Sequence, residues 1–292
     1  MAQAISISAR RGLRRLWLSL LGYSLLFALL QKAVFPRLSL PEGAGLLLSG
    51  VLAAAWPLAC GMTGAEKPVS RPVRRPRAGD LVFLFCLTVV GNLGVTAVVP
   101  VLEGLWKVLG VTARQGGQGE ETLTPLLALY ICLVGPVLEE LIYRGVLLQR
   151  LRPFGAGTAV VLSALCFGLM HHDLYQGLAA FWCGLVFGYT ALRYAPGWAV
   201  GLHVTGNTAA VLLPHLRGLG TAGALVTLVL VFGSVPVAVA GVVRRLWRRW
   251  RQLPVPAAAP SAPARALWGE PALWVLLVLD AGYLVFSSFT RL

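Results

Sequence analysis

Apolar residues run along this chain in nine blocks separated by short polar segments: Leu16–Leu30, Ala44–Met62, Leu81–Leu102, Leu123–Leu148, Gly155–Met170, Tyr175–Leu192, Gly197–Leu213, Thr221–Val243 and Ala272–Phe289. A helix needs about 20 apolar residues to cross a hydrocarbon core of about 30 Å. Backbone groups in lipid must pair within their own segment, so blocks of this length are expected to be helices. The fifth, sixth and seventh blocks are short and closely spaced, which predicts tight antiparallel hairpins. The expected fold is therefore all-α, a polytopic membrane protein of eight or nine transmembrane helices. The uncertain ninth is Ala272–Phe289, which contains Asp280. No small-x-small cleavage site follows the first block, so it reads as an uncleaved helix led by Arg10, Arg11, Arg14 and Arg15.

Two stretches interrupt the pattern. Lys67–Arg77 alternates proline with cations and should be an extended cytoplasmic loop, and Leu253–Ala264 is Pro/Ala-rich and should be stiff and unpaired. Tryptophans among arginines over 244–251 predict an anchor at the membrane interface. The expected organisation is a three-helix N-terminal membrane region over 1–122, a helical core over 123–214 set apart by the motifs described below, and C-terminal membrane helices over 215–292 that include the linker at 253–264. No internal repeat of the transporter kind is visible.

Composition narrows the class. Of 292 residues, 57% are hydrophobic and 12% charged, with mean hydropathy +0.76. Soluble domains carry about 25% charged residues, so a soluble enzyme, a disordered tail and a heptad fibre are excluded. The net charge is +14, but its cations sit between apolar blocks, where they set topology and meet anionic lipid headgroups. Nucleic acid is not an expected partner. With the N-terminus inside, 18 Lys and Arg fall on the inner side and 6 on the outer. The expected location is thus an integral membrane protein (the inner or plasma membrane in a bacterium) with a cytoplasmic N-terminus. All five cysteines lie in apolar stretches without a CxxC pair, which argues against disulfides and zinc ribbons.

The site search starts from ionisable groups inside the blocks, because a charge at mid-bilayer costs about 2.5–3.5 kcal/mol on the insertion scale. Glu139 and Glu140 are adjacent in the fourth block. Glu140 and Arg144 are i and i+4 on one helix face and can pair. Glu139 is rotated by about 100° and is left without a partner on its own helix. Gly135-Pro136, one turn earlier, loosens the helix and frees a carbonyl. His171 and His172 end the fifth block. His203 and Asn207 share a face of the seventh. A carboxylate, imidazoles and an amide can deprotonate water, shuttle a proton and stabilise an oxyanion. Gly177, Ala180, Gly184 and Gly188 form a small-residue face suited to close packing. Asp280 reads as an interior hydrogen-bonding residue, His172 and Asp173 as interfacial polar groups, and His215 as part of a loop.

In order along the chain stand EExxxR (Glu139, Glu140, Arg144), FxxxH (Phe167, His171) and HxxxN (His203, Asn207). This set resembles the CAAX protease and bacteriocin-processing family, whose best-known branch is the type II CAAX prenyl endopeptidases. The resemblance covers about Leu123–Leu213. It implies an intramembrane endopeptidase acting on a membrane-associated or lipidated protein or peptide. Glu139 would activate water with help from His171, His203 and Asn207 would hold the oxyanion, and Glu140 and Arg144 would orient Glu139 and its helix. HExxH is absent, so no cofactor and no metal are expected; the alternative is zinc held by Glu139, His171 and His203. Competing readings are a non-catalytic scaffold or immunity-type protein and a proton-coupled transporter. The nine-span topology places His171 in the outer half and Glu139, His203 and Asn207 near mid-depth.

Overall fold

Each of the nine apolar blocks folds as a helix in the computed structural model, which describes residues 7–41, 43–62, 75–113, 123–251 and 264–291. In chain order these are α1 (Ile7–Leu29), α2 (Ala44–Met62), α3 (Ala78–Val108), α4 (Pro125–Phe154), α5 (Ala156–Leu169), α6 (Leu174–Arg193), α7 (Pro196–Leu216), α8 (Gly220–Arg251), the single short α9 (Ala264–Trp268) and α10 (Pro271–Ser288). Short helical turns follow α1 (Leu30–Val34, Phe35–Arg37) and α7 (Arg217–Leu219), and two three-residue strands, β1 (Val111–Ala113) and β2 (Phe289–Arg291), complete the described elements. Most of the two proline-rich stretches, 67–74 and 253–263, lies outside the described residues. His215 falls in the last turn of α7 rather than in a loop, its Nδ1 3.0 Å from the Val211 carbonyl oxygen.

Five stretches are long and apolar enough to cross a membrane: Arg10–Arg37, Ala78–Val108, Pro125–Phe154, Gly220–Leu246 and Pro271–Ser288. The protein is an all-α integral membrane protein. The remaining blocks fall short for physical reasons. At 1.5 Å per residue, the 14 residues of α5 rise only about 21 Å. Helices α6 and α7 are longer but carry Gln176 and Arg193, and His203, Thr205 and Asn207.

Ionic contacts and the small sheet fix the relative directions of the helices. Near the start of α1, Arg14 Nε meets Glu270 Oε1, just before α10, at 3.1 Å. Asp80, at the start of α3, meets Arg245 of α8 at 3.0 Å, and that guanidinium lies 3.7 Å above the Phe83 ring. At the other ends of α3 and α10, β1 pairs antiparallel with β2, Val111 opposite Arg291. Glu103 of α3 accepts from the Tyr175 hydroxyl at the start of α6, from Thr112 Oγ1 at 2.9 Å and from the Ala113 amide. Helices α1, α3 and α10 therefore start on one face, and α6 starts on the opposite one.

The tightest packing is the α5–α6 hairpin, and the small-residue face creates it. A Cβ on Gly177 would lie 2.9 Å from the Gly168 carbonyl oxygen, one on Gly184 3.0 Å from Ala164, and one on Gly188 3.2 Å from Val160. Against this hairpin stand α4 and α7, which carry the polar groups. Helix α1 buries Trp17 and Leu20, packs on α2, and also meets α10, so the first and last long helices touch directly.

Candidate active site

Helix α4 is not a regular α-helix. Two π-helical segments, Tyr130–Val134 and Leu141–Leu147, bracket Gly135–Glu140. Such wide turns concentrate at functional sites. Pro136 accounts for the first. It has no N–H to give, and the Gly135 N–H reaches back five residues to the Tyr130 carbonyl. In that register the next carbonyl, Ile131, would be paired by residue 136 and is left open. Asn207 of α7 fills the gap, donating from Nδ2 to Ile131 O at 3.0 Å.

One helical turn on, Glu140 and Arg144 are completely buried, with Arg144 Nη1 2.8 Å from Glu140 Oε1. Arg144 Nη2 also donates to the Gly184 carbonyl at 3.2 Å. The guanidinium lies 4.5 Å from the Phe167 ring centre and 5.4 Å from that of Phe187, a cation held against two aromatic rings. A side chain at 184 would crowd this contact, because a Cβ would lie 3.2 Å from that same Nη2.

His203 reaches both glutamates. Its Nδ1 is 3.0 Å from Glu140 Oε1 and donates there, while Nε2 lies 3.7 Å from Glu139 Oε2. The ring stacks on Phe187 at 4.7 Å and meets Phe167 edge-on at 5.7 Å. Glu139 thus has no partner on its own helix but has one on α7. Its side chain keeps 16% exposure against 0% for Glu140, so Glu139 is the more open of the two carboxylates. The phenols of Tyr23 on α1 and Tyr130 on α4 lie within Coulombic range of it.

His171 completes the group. Its Nδ1 lies 2.8 Å from the Phe167 carbonyl oxygen and donates to it, which leaves Nε2 as an open acceptor. The ring packs edge-on against Phe167 at 4.9 Å. Phe167 therefore touches Tyr143, Arg144, His171 and His203 together. His171 and His203 therefore lie close together across the Phe167 ring, although they come from different helices.

Of the six residues read from the sequence, Glu139, Glu140, Arg144 and His203 form one contiguous quartet. His171 joins it through Phe167, and Asn207 stands beside it, bound to Ile131. Phe187, Tyr23 and Tyr130 surround the group without a sequence signal beyond their apolar surroundings. Among the described residues, no three His, Cys, Asp or Glu side chains are grouped as ligands for a metal ion.

Residues 121–209 match the family described as type II CAAX prenyl endopeptidase, Rce1-like, the same resemblance carried by the three motifs. A curated protein of Bacillus subtilis (strain 168), "Putative membrane peptidase YdiL", is 32% identical over 94 residues, 30% of this chain and 37% of that protein. The similarity thus spans little more than a third of the curated relative's length. No solved structure matches. The family match contains all six site residues and excludes α1–α3 and α8–α10.

Proposed function

We propose that the Rce1-like segment makes this chain an intramembrane endopeptidase, hydrolysing a peptide bond in a membrane-associated or lipidated substrate with a glutamate-activated water. The observation that carries the reading is the contrast between two adjacent carboxylates. Glu140 is sealed against Arg144 and His203, whereas Glu139 is open on one side and faces His203 Nε2. Two similar groups in different environments serve different chemical roles.

In this mechanism, Glu139 takes a proton from water as the water oxygen bonds to the scissile carbonyl carbon. The resulting oxyanion is held by N–H groups of His203 and Asn207, whose amide has a second hydrogen beyond the one given to Ile131. As the C–N bond breaks, the proton passes to the departing amine, with His171 Nε2 as the neighbouring shuttle. Glu140 and Arg144 neutralise each other, so the quartet is electrically neutral when Glu139 and His203 hold one mobile proton between them. A neutral set is the form that burial in a low-dielectric interior favours. No step requires a metal. The face bearing Arg14–Glu270 and Asp80–Arg245 is assigned to the cytoplasm on the excess of cations there.

The test compares wild type with Glu139→Gln on a farnesylated CaaX peptide and a panel of membrane-protein tails, with and without chelator. Cleavage by wild type that resists chelation and is lost in Glu139→Gln supports the reading. Equal cleavage by both proteins removes Glu139 as the base, and chelator-sensitive cleavage restored by zinc overturns the metal-free route.

A further inference from the structure

Helix α10 carries Asp280 in the middle of its apolar run, and His172 stands at φ 53°, the left-handed region that a residue with a side chain rarely occupies. Each feature alone is an unexplained cost. In the structure they meet. His172 Nε2 lies 3.4 Å from Asp280 Oδ1 and 3.4 Å from Ser24 Oγ of α1, and Ser24 donates to the same Asp280 oxygen at 2.6 Å. Ser24 and Asp280 are both buried.

The grip extends along α10. The Tyr283 ring meets His172 edge-on at 4.5 Å. The Ser287 hydroxyl donates to the His172 carbonyl, and Ser288 Oγ accepts from the Leu174 amide at 2.9 Å. Asp280, Tyr283 and Ser287 are spaced i, i+3, i+7 and so form one stripe. That stripe holds the α5–α6 turn by an imidazole and a carbonyl, and Ser288 beside it takes the amide two residues on. The cluster is not a second nucleophilic site. Ser24 and Asp280 share a single ring nitrogen, whereas a Ser–His–Asp relay uses both.

His171 is the next residue back. The left-handed residue reverses the chain, so the adjacent rings part. His172 turns to α1 and α10, and His171 turns to Phe167, within Coulombic range of Glu139 and His203. We infer that Asp280, braced by Ser24, is a positioning residue that acts through His172 to fix the His171 imidazole beside the glutamate quartet. Both Ser24 and Asp280 lie outside residues 121–209, so the device is supplied by the parts of the chain that the family match leaves out. Its catalytic meaning rests on the peptidase reading; the orientation of His171 does not.

The experiment labels the histidine rings of the full-length protein with nitrogen-15 and follows His171 by NMR in bilayer discs, assigned against His171→Gln. In wild type, His171 shows one fixed tautomer with the proton on Nδ1. In Asp280→Leu and in His172→Gly, it averages between tautomers, while Asp280→Asn, which keeps an acceptor oxygen, stays close to wild type. Glycine tolerates the left-handed position, so His172→Gly removes the ring without straining the turn. On a cleaved peptide, kcat falls about 10- to 100-fold in the same two variants with KM little changed, the cost of a misplaced group. A His171 signal that stays fixed in both variants overturns the inference. If wild type cleaves nothing, the peptidase reading fails and the NMR result alone decides the positioning role.

Discussion

Asn207 on α7 supplies the hydrogen bond that Pro136 removes from α4, donating to the Ile131 carbonyl at 3.0 Å. A proline inside a helix leaves a carbonyl open, and in a membrane no bulk water fills it. One amide hydrogen of Asn207 therefore holds the helix that carries Glu139, and the proposed mechanism gives the other to the oxyanion.

This coupling can be measured with a double-mutant cycle. Asn207→Ala leaves a partly buried carbonyl unpaired and should destabilise by about 1–3 kcal/mol. Pro136→Ala restores an N–H at the position that can bond Ile131. The cost of Asn207→Ala measured in that background by thermal unfolding in detergent should therefore shrink by at least half. Equal costs in both backgrounds would show that the two residues are energetically independent.

Glu140 and Arg144 should behave as a unit of stability. Glu140→Gln leaves a buried guanidinium without its counterion and is expected to cost about 3–5 kcal/mol. Glu140→Gln combined with Arg144→Met should recover most of that loss in a melt. Glu139→Gln, by contrast, should leave the melting temperature close to wild type while abolishing turnover by a factor of about 100 or more.

Gly184 should be intolerant of the smallest side chain. Its alanine variant places a methyl 3.0 Å from Ala164 and 3.2 Å from Arg144 Nη2, and overpacking of this kind costs about 1–3 kcal/mol. Loss of both melting temperature and activity is the expected outcome. Gly201→Ala, where nothing stands within 4 Å, is the control and should be neutral or slightly stabilising.

The proposed cytoplasmic N-terminus can be tested at the end of α3 and the start of α7. In a background without native cysteines, Leu109→Cys after α3 should react with a membrane-impermeant maleimide in intact cells. Gly197→Cys at the start of α7 should react only after permeabilisation. The reverse pattern would place the N-terminus outside.

Much of this architecture is written in local spacing. The apolar blocks mark the helices to within a few residues at several ends, and the i, i+4 separation of Glu140 and Arg144 announces their ion pair. Helix α1 nevertheless starts nine residues before its block, at Ile7 rather than Leu16, because an arginine-rich turn can remain helical at an interface without being apolar. What spacing does not carry is contact between helices far apart in sequence. The His203 bridge to Glu139, the Asn207 bond to Ile131 and the Ser24–Asp280–His172 cluster all depend on how helices pack. Asp280, Tyr283 and Ser287 do form a polar stripe at helical spacing, a signal that α10 faces something polar. The identity of that partner requires the fold.

The buried Glu140–Arg144 pair also imposes an order on how the chain is made. Translation delivers α4 well before its partners: Gly184 follows Arg144 by 40 residues, and His203 follows Glu140 by 63. During that interval the nascent helix must enter the bilayer with Glu140 and Arg144 neutralising each other, while Glu139 remains bare. The same arginine that later braces the site thus serves first as an escort for membrane insertion, and a ribosome stalled before His203 would leave the helix that carries both glutamates without its later partners.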